Sequence, residues 1–170
     1  MTAFVALLRA VNVGRRKLLM SDLKAIGEEL GLESPRTFIA SGNLLFNSSK
    51  GEAKLCEIVE RRLGEHMGAE VPVMVRTAQE MADAVAANPF SDEPGNRVYA
   101  IFLDDRPNAQ AIAAARHVTD ERLALGRREI YVHYPTGMGQ SKLKIPAAAK
   151  GTARNMNSVA KMAVLLADMR

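Results

Sequence analysis

Apolar positions along the chain fall into short runs and helical stripes separated by turn residues. Residues 3–9 (AFVALLR) form an apolar run bounded by Asn12-Val-Gly14, a length that suits a buried strand rather than a helix. Ser21 is a good helix N-cap, Leu23, Ile26 and Leu30 then share one face, and Gly31 supplies a stop. Pro35 separates this helix from a strand over residues 37–40. Ser41-Gly-Asn43 is turn chemistry, and residues 44–46 resume as the second arm of a hairpin. Leu55, Val59 and Leu63 mark a helix over residues 52–67 ending at Gly68, and residues 71–75 form a strand with Pro72 at its start. Strand, helix, strand, strand, helix, strand is the order of a split-βαβ, ferredoxin-like unit.

The second half repeats the pattern more weakly, without a residue-level repeat. Thr77, with Gln79 and Glu80 in the first turn, caps a helix over residues 77–87, and the polar stretch 91–97 (SDEPGNR) is a loop. Residues 98–103 form a strand, 108–117 an Ala-rich helix, and 122–134 a second hairpin turning at Gly126-Arg-Arg128. After a flexible connection at Pro135–Gly139, residues 141–150 predict a weak helix interrupted near Pro146. Residues 155–166 predict a better one, with Val159, Met162, Ala163 and Leu166 on a stripe. The predicted fold class is α+β, with two ferredoxin-like subdomains and mainly antiparallel sheets. The first spans residues 1–76, a helix and linker follow at 77–97, and the second spans 98–170 with the C-terminal helices.

Composition changes this picture little, but charge distribution changes it more. The chain has 170 residues, 48% hydrophobic and 25% charged, with a net charge of +4, enough to build a core without disulfides or a structural metal. Cys56 is the one cysteine, so no internal disulfide, Cys-pair zinc site or CxxC couple exists. The run Phe4–Leu8, cut by Arg9, is too short for a signal peptide, and no stretch approaches a membrane span. The expectation is a reduced cytoplasmic protein with no membrane association. Residues 1–21 hold four basic residues and no acid, and residues 130–167 hold five and no acid. Residues 22–129 hold thirteen basic and eighteen acidic residues. If folding joins the two basic segments, they make one positive surface suited to phosphate groups.

Several separated motifs support a resemblance. Phe4-Val-Ala-Leu-Leu-Arg-Ala-Val-Asn-Val-Gly14 resembles an opening strand and loop of the form LLRGINVGG, and Thr37-Phe-Ile-Ala-Ser-Gly-Asn-Leu-Leu-Phe46 resembles TYIQSGNVVF. Met20-Ser-Asp-Leu23, Val73-Met-Val-Arg76, Asn88-Pro-Phe90, Gly139-Gln-Ser-Lys-Leu143 and Thr152-Ala-Arg-Asn-Met-Asn-Ser158 follow in the matching order. End to end, the chain resembles the bacterial family known as domain of unknown function 1697. The resemblance implies an α+β fold with two ferredoxin-like subdomains and no established activity. Ala10 stands where the family commonly has Gly, and Met156 where it commonly has Trp in an RNWNT motif.

Candidate chemistry centres on cations and amides. Arg9, Asn12, Gly14, Arg15, Arg16 and Lys17 follow the first strand, where guanidinium forks and turn amides suit a phosphate, although the spacing is not that of a Walker A loop. Ser41 and Asn43 flank a tight turn that reads either as a polar ligand-binding element or as turn propensity alone. Gly137, Gly139, Ser141 and Lys142 form a glycine-rich segment leading into the weak helix, whose N-terminal amides would face an anion. Arg154, Asn157 and Lys161 are spaced to share one helical face, with Asn155 as an N-cap.

His66, His117 and His133 are scattered, so neither a catalytic triad nor a zinc site is supported. Cofactors and metals are expected to be none, and catalytic residues are not identifiable. The leading reading is binding of a phosphate-bearing ligand, a small molecule such as a nucleotide or a nucleic acid, in a basic cleft. The alternatives are an enzyme acting on a small phosphorylated substrate and a protein-interaction module.

Overall fold

The structure, a computed structural model, describes residues 1–169. It divides into two compact units. One comprises Met1–Glu80 with the chain from Met162 on, the other Met81–Lys161.

The first unit runs β1 (Thr2–Leu8), α1 (Met20–Glu29), β2 (Glu33–Thr37), β3 (Asn43–Ser48), α2 (Glu52–Met67) and β4 (Val73–Thr77). Its sheet has the order β2-β3-β1-β4 with every neighbouring pair antiparallel, which is the ferredoxin-like arrangement. Alternation assigns the faces. Phe4, Ala6 and Leu8 join Leu44, Phe46, Val73 and Val75, and pack with Leu23 and Ile26 of α1 and Leu55, Val59 and Leu63 of α2. Phe4 lies opposite Phe46, their rings stacked at 5.9 Å. The other face is buried as well, at Ala3, Val5, Leu7, Leu45 and Met74, so β1 reads as a continuous apolar run rather than an alternating one. Arg76 is also buried on this face, its Nη1 donating to the Val75 carbonyl and lying 3.7 Å from Glu52.

The second unit carries β5 (Val98–Phe102), α4 (Ala109–Ala113), β6 (Arg122–Leu125), β7 (Glu129–His133) and β8 (Thr152–Asn155). Its sheet order is β6-β7-β5-β8, again antiparallel throughout, so this sheet has the ferredoxin-like order too. Ile101, Leu103, Ile130 and Val132 form the core on one face with Ala111 and Tyr134. On the other face Tyr131 is buried and its hydroxyl donates to the Ala84 carbonyl at 2.6 Å, from α3 (Ala78–Ala86). Burial, and then the charge of Glu129, push this phenol well above its ordinary value. The final helix is α5 (Met156–Met169).

Several helix boundaries follow from the capping residues. Gly31 and Gly68 adopt left-handed φ values of +73° and +67° at the ends of α1 and α2. Thr77 and Glu80 form a reciprocal capping box, with N–H to Oγ1 at 3.0 Å and N–H to Oε1 at 2.9 Å. Asn108 accepts from Gln110 N–H and starts α4.

Other boundaries differ from the expectation. Ser21 lies inside α1, which starts at Met20 without a side-chain cap. The first arm of the hairpin is Glu33–Thr37 rather than 37–40, and Pro35 sits within it. Only β3 pairs with this strand, so the missing N–H falls on a sheet edge. The Ala-rich helix stops at Ala113, before His117 takes φ +59°. The weak helix over 141–150 does not form. One short 3-10 turn, Pro146–Ala148, stands within that stretch, and another, Met138–Gln140, precedes it. Residues 152–155, where no strand is expected and Arg154 is assigned to a helical face, form the edge strand β8.

The turn between β2 and β3 shows why particular residues are needed. Gly42 has φ +92°, and a Cβ there would lie 2.6 Å from Val11 Cγ2 and 3.0 Å from Leu8 Cβ. Ala10 has φ +56° and is exposed, so a left-handed backbone is what this position asks of the glycine commonly found there. Gly42→Ala is expected to lower stability by about 1–3 kcal/mol through overpacking and the left-handed backbone. Ala10→Gly should raise it by about 0.5–1 kcal/mol, the left-handed penalty less the added chain entropy. Urea midpoints measure both, and an unchanged midpoint for Gly42→Ala would refute the close approach.

Candidate functional site

The β1–α1 loop, the first place where ligand contacts were expected, is largely occupied with holding its own shape. Asn12 Oδ1 accepts from Leu18 N–H at 2.8 Å, while Nδ2 donates to the carbonyls of Leu18 (3.0 Å) and Ala40 (2.7 Å). This amide closes the loop and ties it to the β2–β3 turn. Gly14, at φ +59°, allows the tight turn in which Arg16 N–H bonds Val13 O. Arg16 Nη2 donates to the Glu70 carbonyl at 2.7 Å. Asn43 is fully buried, and its Nδ2 donates to Phe38 O at 2.7 Å and to Ser41 Oγ at 3.2 Å. Asn12 therefore joins the loop, shaped by Gly14, to the turn that Ser41 and Asn43 build, through the Ala40 carbonyl. Arg15 and Lys17 are exposed beside it, and Arg9 is half-buried.

The C-terminal residues separate. Arg154 lies in β8, opposite Ala100, and does not share a helix face with Asn157 and Lys161. It is buried, its Nη1 donates to Ala153 O, and burial pushes its guanidinium down to about 10. Asn155 is the expected cap, accepting from Ser158 N–H at 2.9 Å. Asn157 and Lys161 are exposed on α5, with the Asn157 side chain lying against Gly95. Met156 is buried, so this is a packing position where a thioether supplies bulk.

Ser141 also serves the fold. Without a helix after it, the glycine-rich segment presents no helix N-terminus, and Gly137 at φ +95° fits closely against the Arg97 guanidinium. Ser141 Oγ donates to Glu121 Oε2 at 2.7 Å and accepts from Leu143 N–H at 3.1 Å. Glu121 Oε1 accepts from Thr119 Oγ1 at 2.7 Å and from the Thr119 and Asp120 amides. Hydrogen bonds from Thr119, then Ser141, hold this carboxyl down to about 2 from an ordinary value near 4.5. The pair pins the β7–β8 crossover to the start of β6. Lys142 is exposed next to it.

That crossover, residues 134–151, forms a cavity of about 490 Å³ over the second sheet. Ile101 and Tyr134 from the core contribute to its lining, as do Leu143, Ile145 and Ala148 from the crossover. Arg116 and Lys144 supply its charge. These two residues form an antiparallel bridge, Arg116 N–H to Lys144 O at 2.8 Å and Lys144 N–H to Arg116 O at 2.9 Å. Residues directly opposite in such a pair project to the same side. Two exposed cations thus leave the bridge on the same side, and both residues line the cavity. Tyr134 packs edge-on against Tyr99 at 5.6 Å. Burial first, then Glu121 and Tyr99, push its phenol up to about 12.

Neither Arg116 nor Lys144 stood out in the sequence as a ligand contact. The usable signal was the alternation Lys142-Leu-Lys-Ile145, a period of two that marks extended chain rather than helix. Among the described residues no group of three His, Cys, Asp or Glu side chains gathers as a metal site, and no helix is long and apolar enough to cross a membrane. His133 contacts Arg122 at 3.1 Å and lies 3.6 Å from Glu93, beside the Phe90 ring.

Comparison with known proteins places the chain. The family described as Protein of unknown function (DUF1697) matches residues 1–131. The solved structure of the conserved bacterial protein SP0830 from Streptococcus pneumoniae is similar, with a TM-score of 0.80 and 24% identity. The match covers 98% of this chain and 99% of that one. No curated protein matches the sequence.

Two predictions follow from these contacts. The Glu121 carboxyl is depressed in the folded state, so its contribution is complete above about pH 4.5, declines as pH falls towards about 2, and is lost below. Glu121→Gln should flatten the acid limb of the stability profile across that window while leaving its shape near neutrality unchanged. An identical acid limb in the variant would contradict the assignment. Arg154→Ala should cost about 1–3 kcal/mol by leaving the Ala153 carbonyl without its buried donor, against roughly 0.5–2 kcal/mol for the cap change Asn155→Ala. A thermally silent Arg154→Ala would return that residue to the surface.

Proposed function

The chain belongs to the DUF1697 family of proteins of unknown function, and we propose that its second unit binds a small anionic ligand, a phosphate ester foremost, at the Arg116–Lys144 rim. One observation carries this reading: the backbone holds two like charges directly opposite each other at the edge of a cavity. Like charges facing across a strand pair are destabilising by a few tenths to about 1 kcal/mol, and an anion between them reverses the sign. A guanidinium fork and an ammonium together offer several charge-assisted donors to one phosphate. The volume, about 490 Å³, falls within the roughly 300–1,000 Å³ of small-molecule sites. It suits a small molecule better than a nucleic acid.

An enzymatic reading has less support. Tyr134 stays protonated near neutral pH because its phenol is pushed up to about 12. Glu121 is ionised but accepts hydrogen bonds on both oxygens. Neither is tuned as a general base near pH 7. The geometry favours capture of the ligand over chemistry on it.

Thermal-shift titration with inorganic phosphate and phosphate monoesters tests the reading. A ligand bound only by the native state raises stability, by about 2.7 kcal/mol at a hundredfold excess over Kd. The double change Arg116→Ala, Lys144→Ala should abolish the shift while leaving the unliganded Tm nearly unchanged, since both side chains are exposed. A shift that survives the double change, or no shift with any anion, would overturn the proposal. A salt dependence worth many phosphate contacts, each about 0.9 in logarithmic slope for a duplex, would indicate nucleic acid instead.

A further inference from the structure

The cavity's lining also bears on what the anion must be attached to. Apart from Arg116 and Lys144, the one lining residue with a polar side chain is Tyr134; Ile101, Leu143, Ile145, Pro146 and two alanines supply the rest. A sugar phosphate or nucleotide would bring several hydroxyls or a polar base edge against this surface. Each polar group left unpaired there incurs a desolvation penalty. An alkyl chain or plain aromatic ring incurs none, and gains from covering Ile101, Leu143 and Ile145. Tyr134, held edge-on to Tyr99, presents a further apolar contact.

Resting on the anion-binding reading, we infer that the ligand is an amphipathic anion: one charged head at Arg116 and Lys144, and an apolar body lying along Ile101, Tyr134, Leu143 and Ile145. The head is a phosphate or a carboxylate. Both accept from the same cations, and a phosphate monoester carries more charge to the pair.

Calorimetric titration of the full chain with n-alkyl phosphates from ethyl to octyl, and with the matching alkanoates, tests this. Glucose 6-phosphate, adenosine monophosphate and inorganic phosphate serve as polar comparators. Affinity should rise about fourfold per methylene, the value of a buried CH₂, and then level off as the cavity fills. Hexyl phosphate should exceed glucose 6-phosphate by at least tenfold. The stronger homologous series, phosphate or carboxylate, identifies the head.

Ala148→Leu, which adds bulk to the lining, should move the plateau to shorter chains. The double change Arg116→Ala, Lys144→Ala should weaken every member of both series, and it provides an independent readout if Ala148→Leu folds poorly. A flat series, with glucose 6-phosphate bound as tightly as hexyl phosphate and both lost in the double variant, overturns the apolar body and leaves anion binding standing. Chain-length dependence unaffected by the double variant, and shared by neutral n-alkanols, overturns the anion reading itself.

Discussion

A four-stranded sheet with an apolar face must be covered, and how each unit satisfies that demand determines much of the structure. In the ferredoxin-like order two crossovers lie on one face, each normally a helix. The first unit meets the requirement with α1 and the 16-residue α2, whose Leu55, Val59 and Leu63 close the core. The second has the five-residue α4 and, between β7 and β8, no α-helix at all. Leu143, Ile145 and Ala148, hung from extended chain and a 3-10 turn, cover Ile101 and Val132 instead. Residues of this crossover, with Ile101, Arg116 and Tyr134, line the cavity.

The same demand explains where the polar residues went. A crossover without helical hydrogen bonds needs other partners for its backbone. The Arg116–Lys144 bridge supplies two, and Ser141, held by Glu121, supplies another through Leu143 N–H. In the first unit Asn12 does comparable work for the β1–α1 loop. Residues that look like ligand contacts in the sequence, being small, polar and next to glycine, look alike when they are turn builders. Both roles need short side chains with well-placed donors and acceptors.

This accounts for what could be read from the sequence. The apolar run of β1, the stripes of α1, α2 and α5, and the helix-end residues Gly31, Gly68, Thr77 and Asn155 are local signals, and they led to the two-unit α+β fold. β8 gave no such signal. Thr-Ala-Arg-Asn has no apolar alternation, and its buried Arg154 is a residue type that marks surfaces almost everywhere else. The β2 boundary slipped because Pro35 reads as a breaker unless the strand is known to lie on an edge. The Arg116–Lys144 pair could not be read locally, since its two residues meet only through tertiary pairing.

The crossover that lines the cavity takes no part in the ladder of β5, β6, β7 and β8 until Thr152. Scaffold and wall therefore overlap without coinciding. Changes at Leu143, Ile145 or Ala148 reshape the cavity and loosen the cover of the core without breaking a strand pair, whereas Ile101 belongs to both the lining and the sheet. If the cavity takes the ligand proposed above, its preference can shift through the crossover residues of the lining while the strand pairing of the sheet stays the same.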